Sequence, residues 1–217
     1  GLLQLQGVAT KAAYADALKN IQFTHSTENP SGISVANPGG ISPSRAIKWQ
    51  LDDGQSVNNL SAMAYSTVYI DARNDTPTLT TDGFVRLFTE NTAAVLANNS
   101  VVLNDADSIE LVGATVKIVS GLTAGDVLGF ATLHGITGSY DAGVLTLSGV
   151  ATVAQYQEAL RTVTFINPSD ALTAVATKRS IQWQVNDGSS TSNLSTPQTT
   201  LINMIAKNDA PLLDVAA

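Results

Sequence analysis

Cysteine is absent from the 217-residue chain, which removes disulfides, thiol nucleophiles and thiolate metal sites together. Charge is scarce: Asp, Glu, Lys and Arg make up 13% of residues, about half the usual share. Histidine occurs twice, as His25 and His134, and neither belongs to a His-Glu-x-x-His metal motif. No glycine-rich phosphate loop precedes a helix. Aromatics are 6% of the chain, few for a surface that stacks sugars. No apolar run approaches the roughly 18 residues of a spanning helix, which argues against membrane insertion. These absences point away from catalysis.

What is present is a chain 44% apolar and rich in Gly, Ala, Ser, Thr, Val, Leu and Asn, a composition of strands joined by turns. The net charge is −7, which disfavours nucleic acid and anionic membrane as partners. Carboxylates carried in loops suit divalent cations instead, since such ions prefer hard oxygen ligands.

Two stretches of punctuation match. "NDTPTL" at Asn74–Leu79 returns as "NDAPLL" at Asn208–Leu213, 134 residues later. The blocks between them match too. "GLLQLQGVATKAAYADALKNIQF" (Gly1–Phe23) aligns with "GVLTLSGVATVAQYQEALRTVTF" (Gly143–Phe165), and "IKWQLDDGQSVNNLS" (Ile47–Ser61) with "IQWQVNDGSSTSNLS" (Ile181–Ser195). The offset is 142 in the first pair of blocks and 134 in the second, so the first copy carries eight more residues between them. The Gly- and Pro-containing stretch Ser31–Ser44 is their natural place. Three units are expected: residues 1–77 as the back part of a first repeat with its linker, 78–211 as a complete repeat with its linker, and 212–217 as the start of another. Gly1 then falls within a repeat, whose missing strands are expected from preceding sequence or from a partner chain.

Within the complete repeat, period-2 alternation dominates. Ile181, Trp183 and Val185 share one strand face, as do Ala114, Val116 and Ile118, and Leu145 with Leu147. Asp187-Gly188 reads as a hairpin turn. Thr152 caps a helix over "VAQYQEAL", and Gln155 completes a capping box. Tyr156, Ala159 and Leu160 share that helix's inner face. In the first copy Ala13 stands where Gln155 does, so the box is half kept. Tyr14, Tyr156, Trp49 and Trp183 read as core. Turns about every 8–12 residues indicate an all-β fold, tandem antiparallel sandwiches of immunoglobulin-like type with one short helix per repeat.

Carboxylates then fall at the ends of the repeat. A first strand over about Phe84–Thr89 runs away from the linker at Asp75 and places Glu90 beside the next linker, at Asp209. A second strand over about Ser100–Leu103 returns Asp105 and Asp107 to Asp75, where the turn at Asp187 also arrives. Asp75, Asp105 and Asp107, with Asp71 as a fourth member, are thus expected at one junction, and Glu90 with Asp209 at the other. Crowded carboxylates repel unless a cation sits among them, and Ca²⁺ suits flexible oxygen ligands.

The Asn-Asp-x-Pro linkers, "FTENTAAVLANNSVVLNDADS" (Phe88–Ser108) and the Gly143–Phe165 block resemble the cadherin-like tandem repeats of large bacterial surface proteins and adhesins, and more distantly chondroitin-sulfate-proteoglycan-type repeats. The resemblance runs over essentially the whole chain. It implies an extracellular, cell-surface array of β-sandwiches stiffened by calcium. Its ligands would be Glu90, the Asp105–Asp107 pair, and the linker pairs Asn74 with Asp75 and Asn208 with Asp209. The family's linker Asp two residues before the Asn has no equivalent here: Asp71 lies three before Asn74, and Ile205 takes that place at the second junction. The expected role is a non-catalytic structural or adhesive extender. A self-assembling filament or surface-layer subunit and a carbohydrate-binding module are the alternatives. Partners would be neighbouring repeats, other copies of the chain, or a surface glycan or protein.

Overall fold

The computed structural model describes residues 1–26, 44–70, 73–170 and 177–210. It is mostly β, with two helices and several sheets. The expected linker residue Asp71 and the segment 212–217 lie outside the described residues.

The first unit holds α1 (Lys11–Lys19) and a hairpin of β1 (Ser44–Trp49) and β2 (Ala64–Tyr69). The second opens with β3 (Thr78–Thr80), β4 (Val85–Thr89), β5 (Val95–Leu96) and β6 (Val102–Asn104). The long β7 (Glu110–Ser120), β8 (Val127–Gly129), β9 (Thr137–Asp141) and β10 (Val144–Thr152) follow. α2 (Val153–Arg161), β11 (Thr164–Ile166), β12 (Lys178–Asn186) and β13 (Gln198–Ile205) complete it. A six-stranded sheet runs β4-β13-β12-β7-β10-β9, a three-stranded one β5-β11-β8, and β3 pairs with β6. Two features depart from the expected pattern. The very short β3 and β5 escape a periodicity reading, which needs several residues to register. The contact of β4 with β13 is parallel in an otherwise antiparallel arrangement, because both strands run toward the second linker.

One apolar core joins these sheets. Ala114, Val116 and Ile118 of β7, Leu145 and Leu147 of β10, and Ile181, Trp183 and Val185 of β12 all bury as their alternation predicts. Phe88 and Phe165 meet edge to face with centroids 5.3 Å apart. α2 closes one side with Tyr156, Ala159 and Leu160. Its capping box forms in full: the Thr152 hydroxyl accepts from Gln155 N–H, and the Gln155 amide oxygen accepts from Thr152 N–H. Tyr156 donates to the Gly149 carbonyl at 2.6 Å. Burial pushes its hydroxyl up to about 12. Gly149 has φ +138°, and a Cβ there would crowd the Gly135 carbonyl at 3.0 Å, so this bulge of β10 requires glycine.

Several of these bonds are found again at the matched positions of the first unit. Tyr14 donates to the Gly7 carbonyl, and Thr10 caps α1. Trp49 Nε1 donates to Ser66 Oγ at 2.8 Å, as Trp183 Nε1 does to Thr200 Oγ1 at 2.8 Å. The Asp187-Gly188 turn is wider than a two-residue hairpin. Ser195 ties it to β12, with the Val185 N–H donating to Ser195 Oγ and the Ser195 N–H to the Val185 carbonyl.

A buried ion pair crosses the core's edge. Arg179 Nε donates to Asp126 Oδ2 at 2.7 Å, both side chains fully buried. Asn167 Nδ2 donates to the other oxygen at 2.7 Å, and Arg179 also donates to Thr123 Oγ1. Removing one member of such a pair strands a charge in low dielectric. Asp126→Asn is expected to cost about 3–5 kcal/mol, read as a lower urea midpoint with an unchanged slope.

Candidate functional site

Carboxylates stand at both ends of the second unit. At the first end, the Asp75 N–H donates to Asp107 Oδ2 at 3.2 Å. Asp105 Oδ1 accepts from the N–H groups of Asp107 at 3.1 Å and Ser108 at 2.8 Å. Its other oxygen, Oδ2, is buried with no hydrogen-bond partner, as is Oε2 of nearby-in-sequence Glu110. Burial is the main cause of a shift that takes the Asp105 carboxyl from an ordinary 3.8 to about 6, and the Asp107 carboxyl beside it adds to the rise. These oxygens are dry and under-satisfied, an arrangement a bound cation would relieve.

Asn74 does something the sequence reading did not assign. Its Nδ2 donates to Asp187 Oδ2 at 2.9 Å and to the carbonyls of Thr191 and Ser192, both at 3.2 Å. Its Oδ1 accepts from Ser189 Oγ at 2.5 Å. The linker asparagine is therefore a plug seated in the loop after β12, and Asp187, fully buried, is the floor of the socket. Gly188 gives this loop its φ of +83°, where a Cβ would collide with Val112.

At the second end the Glu90 N–H donates to the Ile205 carbonyl at 2.9 Å, and Glu90 Oε2 accepts from Lys207 N–H at 2.8 Å. Glu90 is 1% exposed, yet its Oε1 has no hydrogen-bond partner. One carboxylate oxygen each from Glu90, Asp170 and Asp209 lies within 4.8 Å of the others. Among the described residues this is the trio of acidic groups that could hold a metal ion; Asp75, Asp105 and Asp107 do not converge as closely. Glu90 and Asp209 are thus brought together as the strand directions imply, while Asp170 is new. It sits in the connection after β11, and no spacing in the sequence ties it to Glu90. Asn208 Nδ2 donates to the Asp209 carbonyl at 3.2 Å and faces solvent. The bond matches that of Asn74 to the Asp75 carbonyl at 2.8 Å.

Elsewhere, His134 Nε2 lies 2.7 Å from Glu158 Oε2. Among the described residues no helix is long and apolar enough to cross a membrane. Compared with models of protein families the chain matches none, and no curated protein proves significantly similar to it.

Two outcomes follow from this geometry. Asn74→Ala takes from Oδ2 of the buried Asp187 carboxylate the donor that Asn74 supplies, leaving Oδ1 its bond from Ser189 N–H, and an unsatisfied buried group costs about 1–3 kcal/mol. Calorimetric unfolding should show that loss, with faster proteolysis at 73–77. The second concerns pH in the presence of chelator. Asp105 holds its proton more tightly folded than unfolded, so its contribution to stability is greatest below 3.8 and lost as pH rises through about 6. The urea midpoint should fall across that window, and Asp105→Asn should flatten the fall.

Proposed function

We propose that the chain is a segment of a tandem array of cadherin-like β-sandwich repeats. It serves as a non-catalytic extender of an extracellular surface protein, with calcium stiffening the junctions between repeats. The observation that carries this reading is Glu90: a carboxylate 1% exposed with one oxygen unpartnered, beside the exposed carboxylates of Asp170 and Asp209. Burying an anion without a partner is costly, and a hard divalent cation shared with Asp170 and Asp209 offsets that cost. Ca²⁺ fits a set of carboxylates drawn from loops, which tolerate its large and irregular shell of six to eight oxygens. Because Asp209 belongs to the linker and Glu90 to the sandwich, the ion would tie one to the other and remove hinge freedom.

The matched bonds of the two units, and the Asn74 plug in the Asp187 loop, support an array in which each linker is seated in the repeat that follows it. Repetition with a fixed joint suits a mechanical role, where length and stiffness are the useful properties.

Calorimetric unfolding in millimolar Ca²⁺ and in chelator tests the reading. An ion at about 100 times its dissociation constant adds roughly 2.7 kcal/mol, enough to raise Tm by several degrees. Glu90→Gln keeps the shape but removes the charge. It should abolish most of the calcium-dependent rise while matching or exceeding the parent's Tm in chelator. An undiminished rise in Glu90→Gln, or none in the parent chain, would sink the proposal.

A further inference from the structure

The chain enters and leaves the second unit at opposite ends. Asn74 is held by Asp187, Thr191 and Ser192, in the loop between β12 and β13, so the entering segment meets the unit where β13 begins. β13 then runs to Ile205, and the chain leaves from there through residues 206–210. β4 lies beside β13 and points the same way, with Val85 paired to Leu201 and Thr89 to Ile205 through five register pairs. Two bonds carry this ladder past the strand ends. The Glu90 N–H donates to the Ile205 carbonyl at 2.9 Å, and the Lys207 N–H to Glu90 Oε2 at 2.8 Å. Phe88 of β4 and Ile202 and Met204 of β13 are buried, so neither strand slides without drawing hydrocarbon out of the core.

The direction of the pair decides how it meets tension. Pulling along the chain draws the start of β4 back toward Asn74 and the end of β13 away from it. In a parallel pair those two points lie at opposite ends of the ladder, so the strands are driven lengthwise past each other. Evenly spaced, slanted bonds then share the pull and must fail together. In an antiparallel pair the same two points would be neighbours, and the ladder would open one bond at a time. The other pairings of this sheet are antiparallel; the parallel one joins the strands that take the pull. Ahead of β4 lies a shorter strap, made of the seated Asn74, the buried Leu79 and three register pairs between β3 and β6.

We propose that the β4–β13 pair is a shear clamp, which sets the tension that the second unit withstands before it unfolds. The inference deepens the mechanical role and rests on the array reading, in which the pull enters ahead of Asn74 and leaves beyond Ile205. It is independent of calcium. Resistance to tension is an unfolding rate under load, a different quantity from equilibrium stability. One fold with one free energy of unfolding therefore resists a pull strongly or weakly according to how the pull meets the ladder.

The test uses direction as its variable. The chain has no cysteine, so thiol handles for single-molecule pulling attach only where a cysteine is introduced. Two variants of the full chain are pulled in chelator at one loading rate. Arg73→Cys with Ala210→Cys loads the pair lengthwise. Arg73→Cys with Thr196→Cys puts both handles at the end where β13 begins, so the same bonds are opened in turn. All three positions are exposed. Both variants load the strap, and the direction across β4 and β13 is what differs. The first variant should unfold at a force roughly twofold higher or more, since forced unfolding is governed by the barrier along the pulled direction. That event should lengthen the chain by several hundred Å, at about 3.3–3.6 Å per released residue, against a few tens of Å for the strap alone. Equal forces in the two variants would overturn the proposal, as would a highest force that releases only the strap. Because calcium is absent throughout, failure here and failure of the calcium reading are separate results.

Discussion

The fold of the second unit depends on β7 lying between β10 and β12. Its hydrogen bonds run to both neighbours, and Ala114, Val116 and Ile118 project into the middle of the core. β10 and β12 belong to one sheet through it, since neither bonds the other. An open strand edge next to an apolar face leaves two costs unmet, unpaired backbone groups and hydrated hydrocarbon. In the second unit Leu145 and Leu147 are each 1% exposed, whereas the matching Leu3 and Leu5 are 64% and 41% exposed.

The polar groups obey the same logic on a smaller scale. Arg179 and Asp126 are fully buried and pair with each other, and Asn167 and Thr123 fill the remaining bonds. Asp187 is equally buried and takes its donors from Ser189 and from Asn74 of the preceding linker. At both ends of the unit, carboxylate oxygens on Asp105 and Glu90 are buried without a protein donor. Interior polar atoms are nearly always satisfied. The exceptions here cluster at the linkers instead of scattering through the core, and this placement is why a cation at the junctions is the natural proposal.

Much of this was legible in the chain. The alternation of Ile181, Trp183 and Val185 is a backbone property of strands, and Thr152 with Gln155 needs only four residues to cap a helix. Glu90 and Asp209 meet because strand direction alone carries one to the other's end. Asp170 was not legible, since it lies in an irregular connection where neither period nor spacing constrains direction. The plug role of Asn74 was hidden for a similar reason: its partners lie more than a hundred residues on, in a loop whose shape depends on Gly188 and Ser195.

The sequence by itself determined the local elements and the correspondence of the two units, because periodicity, caps and turn residues act over a few positions. It also determined which carboxylates could reach which end. Only the tertiary structure decided which oxygens would be dry. Desolvation depends on what packs over a group, and Glu90 and Asp187 take contacts from distant parts of the chain, from Lys207 and Asn74. The same is true of the leucines, for Leu145 is 1% exposed while Leu3, of the same type at the matched place, is 64% exposed. Identical residues acquire different environments when the strands around them differ.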